Sequence, residues 1–176
     1  MMAIRAEGLK KGYLLADALI ERRSTMFRHI LCPTDLKERA NIALKKAVQI
    51  AHQFNSKITI LNVHPEFIAQ QEREMLRVSF DGLKEKYRRI AMESREEMMA
   101  EIGNLHAGDI QVDYEIRQGK PERVIAETAG KLGIDLIVIC TDGRNNIKDF
   151  VTGTITEHVI NHASCPVLVI PFQKNA

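Results

Sequence analysis

The chain contains no tryptophan, and aromatic residues of all kinds make up only 5% of it. A surface that stacks nucleic-acid bases needs several flat rings in series, so that class is disfavoured from the start. Charge of one sign is not in excess either: 25 Lys and Arg stand against 23 Asp and Glu, a net charge of +2. No strong basic field invites a phosphate backbone. No apolar run approaches the ~20 residues of a membrane span. Cysteine is scarce and odd in number (Cys32, Cys140 and Cys165), with no paired motif. A secreted, disulfide-built fold is a poor fit, and a reducing interior a better one. The expectation is a soluble cytoplasmic domain with neither nucleic-acid nor membrane partners. With 176 residues there is room for one domain with a proper core, and too little for two generous ones.

The first 25 residues combine basic side chains with a short apolar run broken by Asp17, and no small-residue cleavage site follows. That makes a poor signal peptide. Leu15, Ala18 and Leu19 share one side of a short amphipathic turn. Met26 stands immediately before the first strand. The folded domain is therefore expected over residues 26–172, with 1–25 a loosely ordered extension and 173–176 a tail.

Within the domain, Phe27 to Pro33 reads as a strand whose buried part is Ile30, Leu31 and Cys32, and Thr34-Asp35 ends it. From Lys37 to Phe54, apolar Ala40, Ala43, Leu44, Ala47, Ile50, Ala51 and Phe54 recur at helical spacing. Lys57 to Val63 is rich in β-branched residues and reads as a second strand. Glu66 to Ser79 is ambiguous, either a flexible lid or an irregular helix start. From Phe80 to Leu105 a helix presents Leu83, Tyr87, Ile90, Ala91, Ser94, Met98, Ile102 and Leu105 on one face. Ile110 to Arg117 alternates as an edge strand with one wetter face. A turn at Gly119-Lys120 leads to Pro121 at a helix start, and Gly133 closes that helix.

The last third carries the most information. Asp135 to Cys140 is an unbroken apolar run suited to a central strand buried on both faces. A polar loop from Thr141 to Thr152 follows. A helix then opens at Gly153-Thr154, with Glu157 at capping-box spacing from Thr154. Pro166 to Ile170 is a final buried strand, with Pro171 as its stop. Five strands alternating with four helices predict an α/β fold: a doubly wound, five-stranded parallel sheet with helices on both faces. Right-handed crossovers favour strand order 3-2-1-4-5. In that order the first and fourth strands meet where the winding reverses, and ligands bind outside their carboxyl ends. Thr34-Asp35 and the 141–154 loop both leave from that place. A loop that ends at a helix N-terminus offers unpaired N–H groups to an anion, although an ordinary connection looks the same.

Several chemistries are absent. No G-x-x-x-x-G-K-(S/T) loop and no G-x-G-x-x-G after a strand is present, so neither a P-loop enzyme nor a dinucleotide site is supported. His158 and His162 are four apart, but Val159 stands where a zincin needs Glu, and surface or helix-end histidines are the simpler reading. Ser164-Cys165 lacks a nucleophile-elbow pattern. Cys32 and Cys140 lie on neighbouring strands and read as small buried hydrophobes rather than a redox or metal pair. A phosphorylation receiver would need an Asp after the third strand, where Gln118-Gly119 stands. Asp35 is open to two uses, accepting hydrogen bonds from a ligand or capping its own helix through Glu38. Arg144 and Lys148 either offset phosphate charge or are simply solvated.

From Met26 to Phe172 the chain resembles the universal stress protein family. The resemblance is carried by Pro33-Thr34-Asp35, Leu61-Asn62-Val63-His64, Gly119-Lys120-Pro121, Asp135-Leu136-Ile137-Val138 and His162-Ala163-Ser164-Cys165-Pro166-Val167-Leu168-Val169. ATP-binding members carry G-x2-G-x9-G-(S/T) after the fourth strand. Here Gly143, then nine residues, then Gly153-Thr154 match it, while Cys140 replaces the first glycine. The resemblance implies that adenine and ribose lie against Pro33, Thr34, Asp35, Val63, Ile139 and Cys140. It likewise implies that phosphates meet Gly143, Gly153, Thr154, Ile155 and Thr156. Mg2+ or Mn2+ would ride mainly on the phosphates. No catalytic residue and no protein metal ligand is implied, and Asp142 is the one weak candidate for a base. The expected function is an ATP-binding, cytoplasmic, homodimeric stress-response regulator that switches by nucleotide state. Activity is limited at most to slow hydrolysis or self-phosphorylation. Pairing through the last strand, Val167 to Ile170, is the expected dimer contact. The alternatives are a nucleotide-independent interaction module of the same fold, using Glu66–Ser79 and the N-terminal extension, and a true ATP hydrolase.

Overall fold

A computed structural model describes residues 26–64, 80–105, 107–141 and 154–172 of the chain. The N-terminal extension, the 65–79 segment, the 142–153 loop and the tail all lie outside these residues, as do the expectations placed on them. The strands are β1 (His29–Thr34), β2 (Lys57–His64), β3 (Val112–Gln118), β4 (Leu136–Thr141) and β5 (Val167–Pro171). Between them run helices α1 (Glu38–Phe54), α2 (Phe80–Asn104), α3 (Pro121–Leu132) and α4 (Thr154–His162). The strands form one sheet in the order β3-β2-β1-β4-β5. Every pairing is parallel, with Ile30 opposite Ile58 on one side of β1 and Leu136 on the other. The doubly wound α/β architecture and strand order expected from the crossover rule are both observed.

The pleat decides which helix each strand residue meets, because successive side chains point to opposite faces. Ile30, Cys32, Ile58, Ile60, Leu136 and Val138 face one way and pack against Ala43, Leu44, Ala47 and Ala51 of α1 and Met98 and Ile102 of α2. Leu31, Leu61, Ile137 and Ile139 face the other way, against Ile125 and Ala129 of α3 and Val159 of α4. The alanine stripe along α1 leaves no bulk between helix and sheet. β1 is therefore buried from Ile30 to Thr34, which explains its unbroken apolar reading.

Boundaries shift by a residue or two, for identifiable reasons. β3 starts at Val112, because the Ile110 N–H donates to the Ala107 carbonyl (3.1 Å) and closes a turn before the sheet. β5 runs through Pro171, which pairs with Thr141, whereas the sequence suggested a stop there. Proline at the end of an edge strand loses no ladder bond. α1 begins at Glu38, with Lys37 as an N-cap that makes no side-chain cap bond, so the Asp35–Glu38 capping box does not form. Gly133 ends α3 at φ 62, and Gly119 takes φ 136 in the turn before Pro121, where a Cβ would lie 2.9 Å from Val124. Both positions need the freedom of glycine. Among the described residues no helix is long and apolar enough to cross a membrane.

Candidate functional site

The carboxyl ends of β1, β2 and β4 open into a cavity of ≈ 170 Å³. Its wall is contributed by Pro33, Thr34 and Asp35 from the end of β1, Arg39 and Ala40 from α1, and Leu61 and Val63 from β2. Pro121 and Ile125 of α3, Ile139 and Cys140 of β4, and Ile155 and Thr156 of α4 complete it. The placement follows from topology: β1 and β4 are the neighbours whose crossovers go to opposite faces, which leaves a crevice between their ends.

The β1–α1 turn of the rim is held by a set of hydrogen bonds. Thr34 Oγ1 accepts the Leu36 N–H at 3.0 Å, and Asp35 Oδ1 accepts the Lys37 N–H at 3.2 Å. These bonds hold Leu36 at φ 59, an uncommon conformation for a leucine, while its side chain packs against the α1 side of the core. The Thr34 carbonyl accepts from Asn62 Nδ2 at 2.9 Å, which ties the end of β1 to β2. Asp35 Oδ2 takes the Arg39 Nε at 3.0 Å and its Nη2 as well, an i,i+4 ion pair across the first turn of α1. The carboxylate thus serves the turn and the ion pair instead of the expected capping box.

Opposite this rim, α4 begins at Thr154, so its positive dipole end and first N–H groups face the crevice. Thr156 is buried and Ile155 is exposed at the mouth. Leu61, Val63, Ile125 and Ile139 supply an apolar wall suited to a flat or aliphatic group. Cys140 is half-buried, and its Sγ–H points to the Thr141 carbonyl at 3.6 Å. Burial pushes its thiol up, with Arg39 opposing and Asp35 reinforcing the effect. Fully buried Cys32, on the same face of the sheet, is pushed up to about 12 by the same cause. Both cysteines are free and neutral, as small core residues should be.

Of the sequence-derived site residues, Pro33, Thr34, Asp35, Val63, Ile139, Cys140, Ile155 and Thr156 all line the cavity. Thr154 opens α4, and Gly143 and Gly153 lie outside the described residues. Arg39, Ala40, Leu61, Pro121 and Ile125 were not foreseen. Arg39 sits four residues after Asp35, a spacing at which opposite charges on a helix attract, and Pro121 belongs to the Gly119-Lys120-Pro121 motif. Those two signals were present in the sequence. Among the described residues, Asp35 is the one carboxylate that lines the cavity and no histidine does. His158 and His162 stack at 3.9 Å on the outer end of α4, and His162 Nδ1 bonds the His158 carbonyl. Among the described residues no group of three or more His, Cys, Asp or Glu is placed to hold a metal ion.

Comparison with known proteins agrees with the fold. The universal stress protein MJ0531 of Methanocaldococcus jannaschii is 29% identical over 165 residues, covering 92% of each chain. The solved structure of MJ0577 from the same organism superposes with a TM-score of 0.66 at 27% identity, covering 85% of this chain and 99% of that one. The universal stress protein UspA from Lactobacillus plantarum gives 0.65 at 26% identity, covering 82% and 98%. The model of the universal stress protein family matches residues 26–171, and the chain belongs to that family.

Proposed function

We propose that this protein binds ATP in the cavity at the carboxyl ends of β1, β2 and β4, and acts as a dimeric stress-response regulator whose surface changes with nucleotide state. The carrying observation is the convergence of an apolar slot, a hydrogen-bonding rim and a helix N-terminus in one crevice. Adenine fits between Val63, Ile125 and Ile139, with ribose toward Thr34 and Asp35. The first turn of α4 and the Thr156 hydroxyl then face the phosphates, and a helix N-terminus binds such anions without a Walker-type lysine. Gly143 and Gly153 keep the spacing of the family's phosphate loop. Cys140 adds one small neutral side chain to the slot where that pattern has glycine. Mg2+ or Mn2+ would be carried by the phosphates.

Asp35 is engaged by Lys37 and Arg39, so among the described lining residues no group is poised to activate water. Binding and switching are accordingly the function, with hydrolysis or self-phosphorylation slow at most. Membership of the family supports the stress-response role, and a cytoplasmic setting suits the free thiols. The homodimer forms through β5, an edge strand on which Leu168 is 37% exposed and which carries no charged side chain.

Calorimetry with Mg-ATP on the wild type and on Gly153→Asp tests the binding. Saturable heat in the wild type, lost in the variant, is expected. A wild type that takes up no nucleotide leaves the interaction-module reading in place, and steady phosphate release favours the hydrolase. Sedimentation at micromolar concentration tests the dimer, and a monomer throughout would rule it out.

A further inference from the structure

Asp35 and Arg39 are the only formally charged side chains among the described residues that line the cavity. All the others are aliphatic, hydroxyl, proline or thiol side chains. Among the described lining residues the two charges balance, and the Arg39 guanidinium sits on the Asp35 carboxylate. The pair is partly shielded, with side chains 31% and 37% exposed, so its field is not lost to solvent. Both groups also act on the Cys140 thiol across the slot, in opposite directions. Neither Asp35 oxygen is left to the ligand alone: Oδ1 takes the Lys37 N–H and Oδ2 takes the arginine.

Resting on the nucleotide reading above, we infer that Arg39 determines specificity at this site, cancelling the Asp35 charge so that the slot accepts a polyanionic nucleotide as readily as an uncharged nucleoside. Without Arg39 the wall carries one negative charge beside the phosphates, and that charge penalises ATP while leaving an uncharged nucleoside indifferent to it. A purely structural role would affect both ligands alike, since either depends on the same turn between β1 and α1.

The test measures ATP and adenosine affinities for the full chain carrying Arg39→Gln, Arg39→Lys or Asp35→Asn, at low and at high salt. A unit charge acting across a partly solvated slot predicts that Arg39→Gln lowers the ratio of ATP to adenosine affinity roughly five- to tenfold. The deficit should shrink at high salt, where such fields are screened. Arg39→Lys restores the ratio, and Asp35→Asn, which leaves a net positive wall, raises it above wild type. Should the Gln variant fold poorly, the opposite sign expected of Asp35→Asn still decides the question. Equal losses for ATP and adenosine in Arg39→Gln, or an unmoved ratio in Asp35→Asn, overturn the inference while nucleotide binding stands. A wild type that binds neither ligand overturns both.

Discussion

The two ends of the same strands are built on opposite plans. At the amino end, the Asp135 carboxylate accepts the backbone N–H groups of Arg28 (2.9 Å) and His29 (3.1 Å), tying the start of β4 to the start of β1. His29 Nε2 meets Thr59 Oγ1 at 2.8 Å, and Lys57 pairs with Asp113, so β1, β2 and β3 are linked in turn. At the carboxyl end β1 and β4 part while β2 stays tied to β1 through Asn62, and the polar groups of the rim serve a turn and an ion pair beside the cavity. The amino end maintains register and the carboxyl end provides room. The difference teaches that stability and binding are separable here along a single strand direction, as expected when ligands occupy the switch point of an open sheet.

The largest expected break in that comparison is Asp135→Ala. It strands two backbone donors and should lower unfolding stability by about 2–3 kcal/mol, read as a shifted urea midpoint, while ATP affinity moves less than about twofold. A parallel loss of affinity would mean that the two ends are not separable. At the other end, Asp35→Ala removes the acceptor of the Lys37 N–H and of Arg39, so it should loosen the β1–α1 turn and weaken adenosine several-fold and ATP less, while stability read from the urea midpoint falls by no more than about 1 kcal/mol. An exposed ion pair contributes at most ~1 kcal/mol to stability, so a large midpoint shift there would contradict the assignment. Thr34→Val sharpens the contrast further. It leaves the Leu36 N–H without its acceptor at a strained φ and should cost about 1 kcal/mol together with a modest drop in affinity.

The smallest effect is a pH dependence shared between the ends. His29 and His64 both lie below the ordinary histidine value of 6.5, in each case chiefly because burial disfavours the charged ring, with Lys57 adding to the effect at His29. A lowered folded value means that the unfolded chain binds the proton more readily. The stability contribution is therefore present above pH 6.5 and is lost as pH falls through the lower folded values. Urea midpoints taken between pH 7.5 and pH 5 should decline. His29→Gln, which can still bond Thr59, should remove part of that slope at the amino end, and His64→Asn part of it at the other. Slopes identical to wild type in both variants would show that other groups carry the dependence.

Much of this was legible in the residues. Apolar runs and helical periodicity located the strands and helices, because burial on one or both faces imposes period 2, period 3.6 or none. The switch point followed from element order and handedness, which need no side-chain detail. Most of the proposed site residues therefore reached one cavity. Arg39 escaped because a helix-surface cation has the same appearance in sequence whether it is solvated or folded back onto a carboxylate. Ile125 escaped because an apolar residue on the inner face of α3 reads as core. The choice left open at Asp35, ligand contact or capping box, could not be made from sequence, because Thr34 and Asp35 each bond a backbone N–H two residues on and α1 then starts without a side-chain cap.

The Gly143-to-Gly153 spacing, the family and the α/β winding are properties of the chain alone, since they depend on residue order and on the pattern of burial. Tertiary structure alone decided that Asp35 pairs with Arg39, that Cys140 stands in the cavity wall with its thiol pushed up by burial, and that Asp135 ties the amino ends of β1 and β4 while a cavity lies at their carboxyl ends. Hydrogen bonds form only within a few tenths of an ångström of their preferred length, about 2.9 Å, a placement that only the packed arrangement of strands and helices defines.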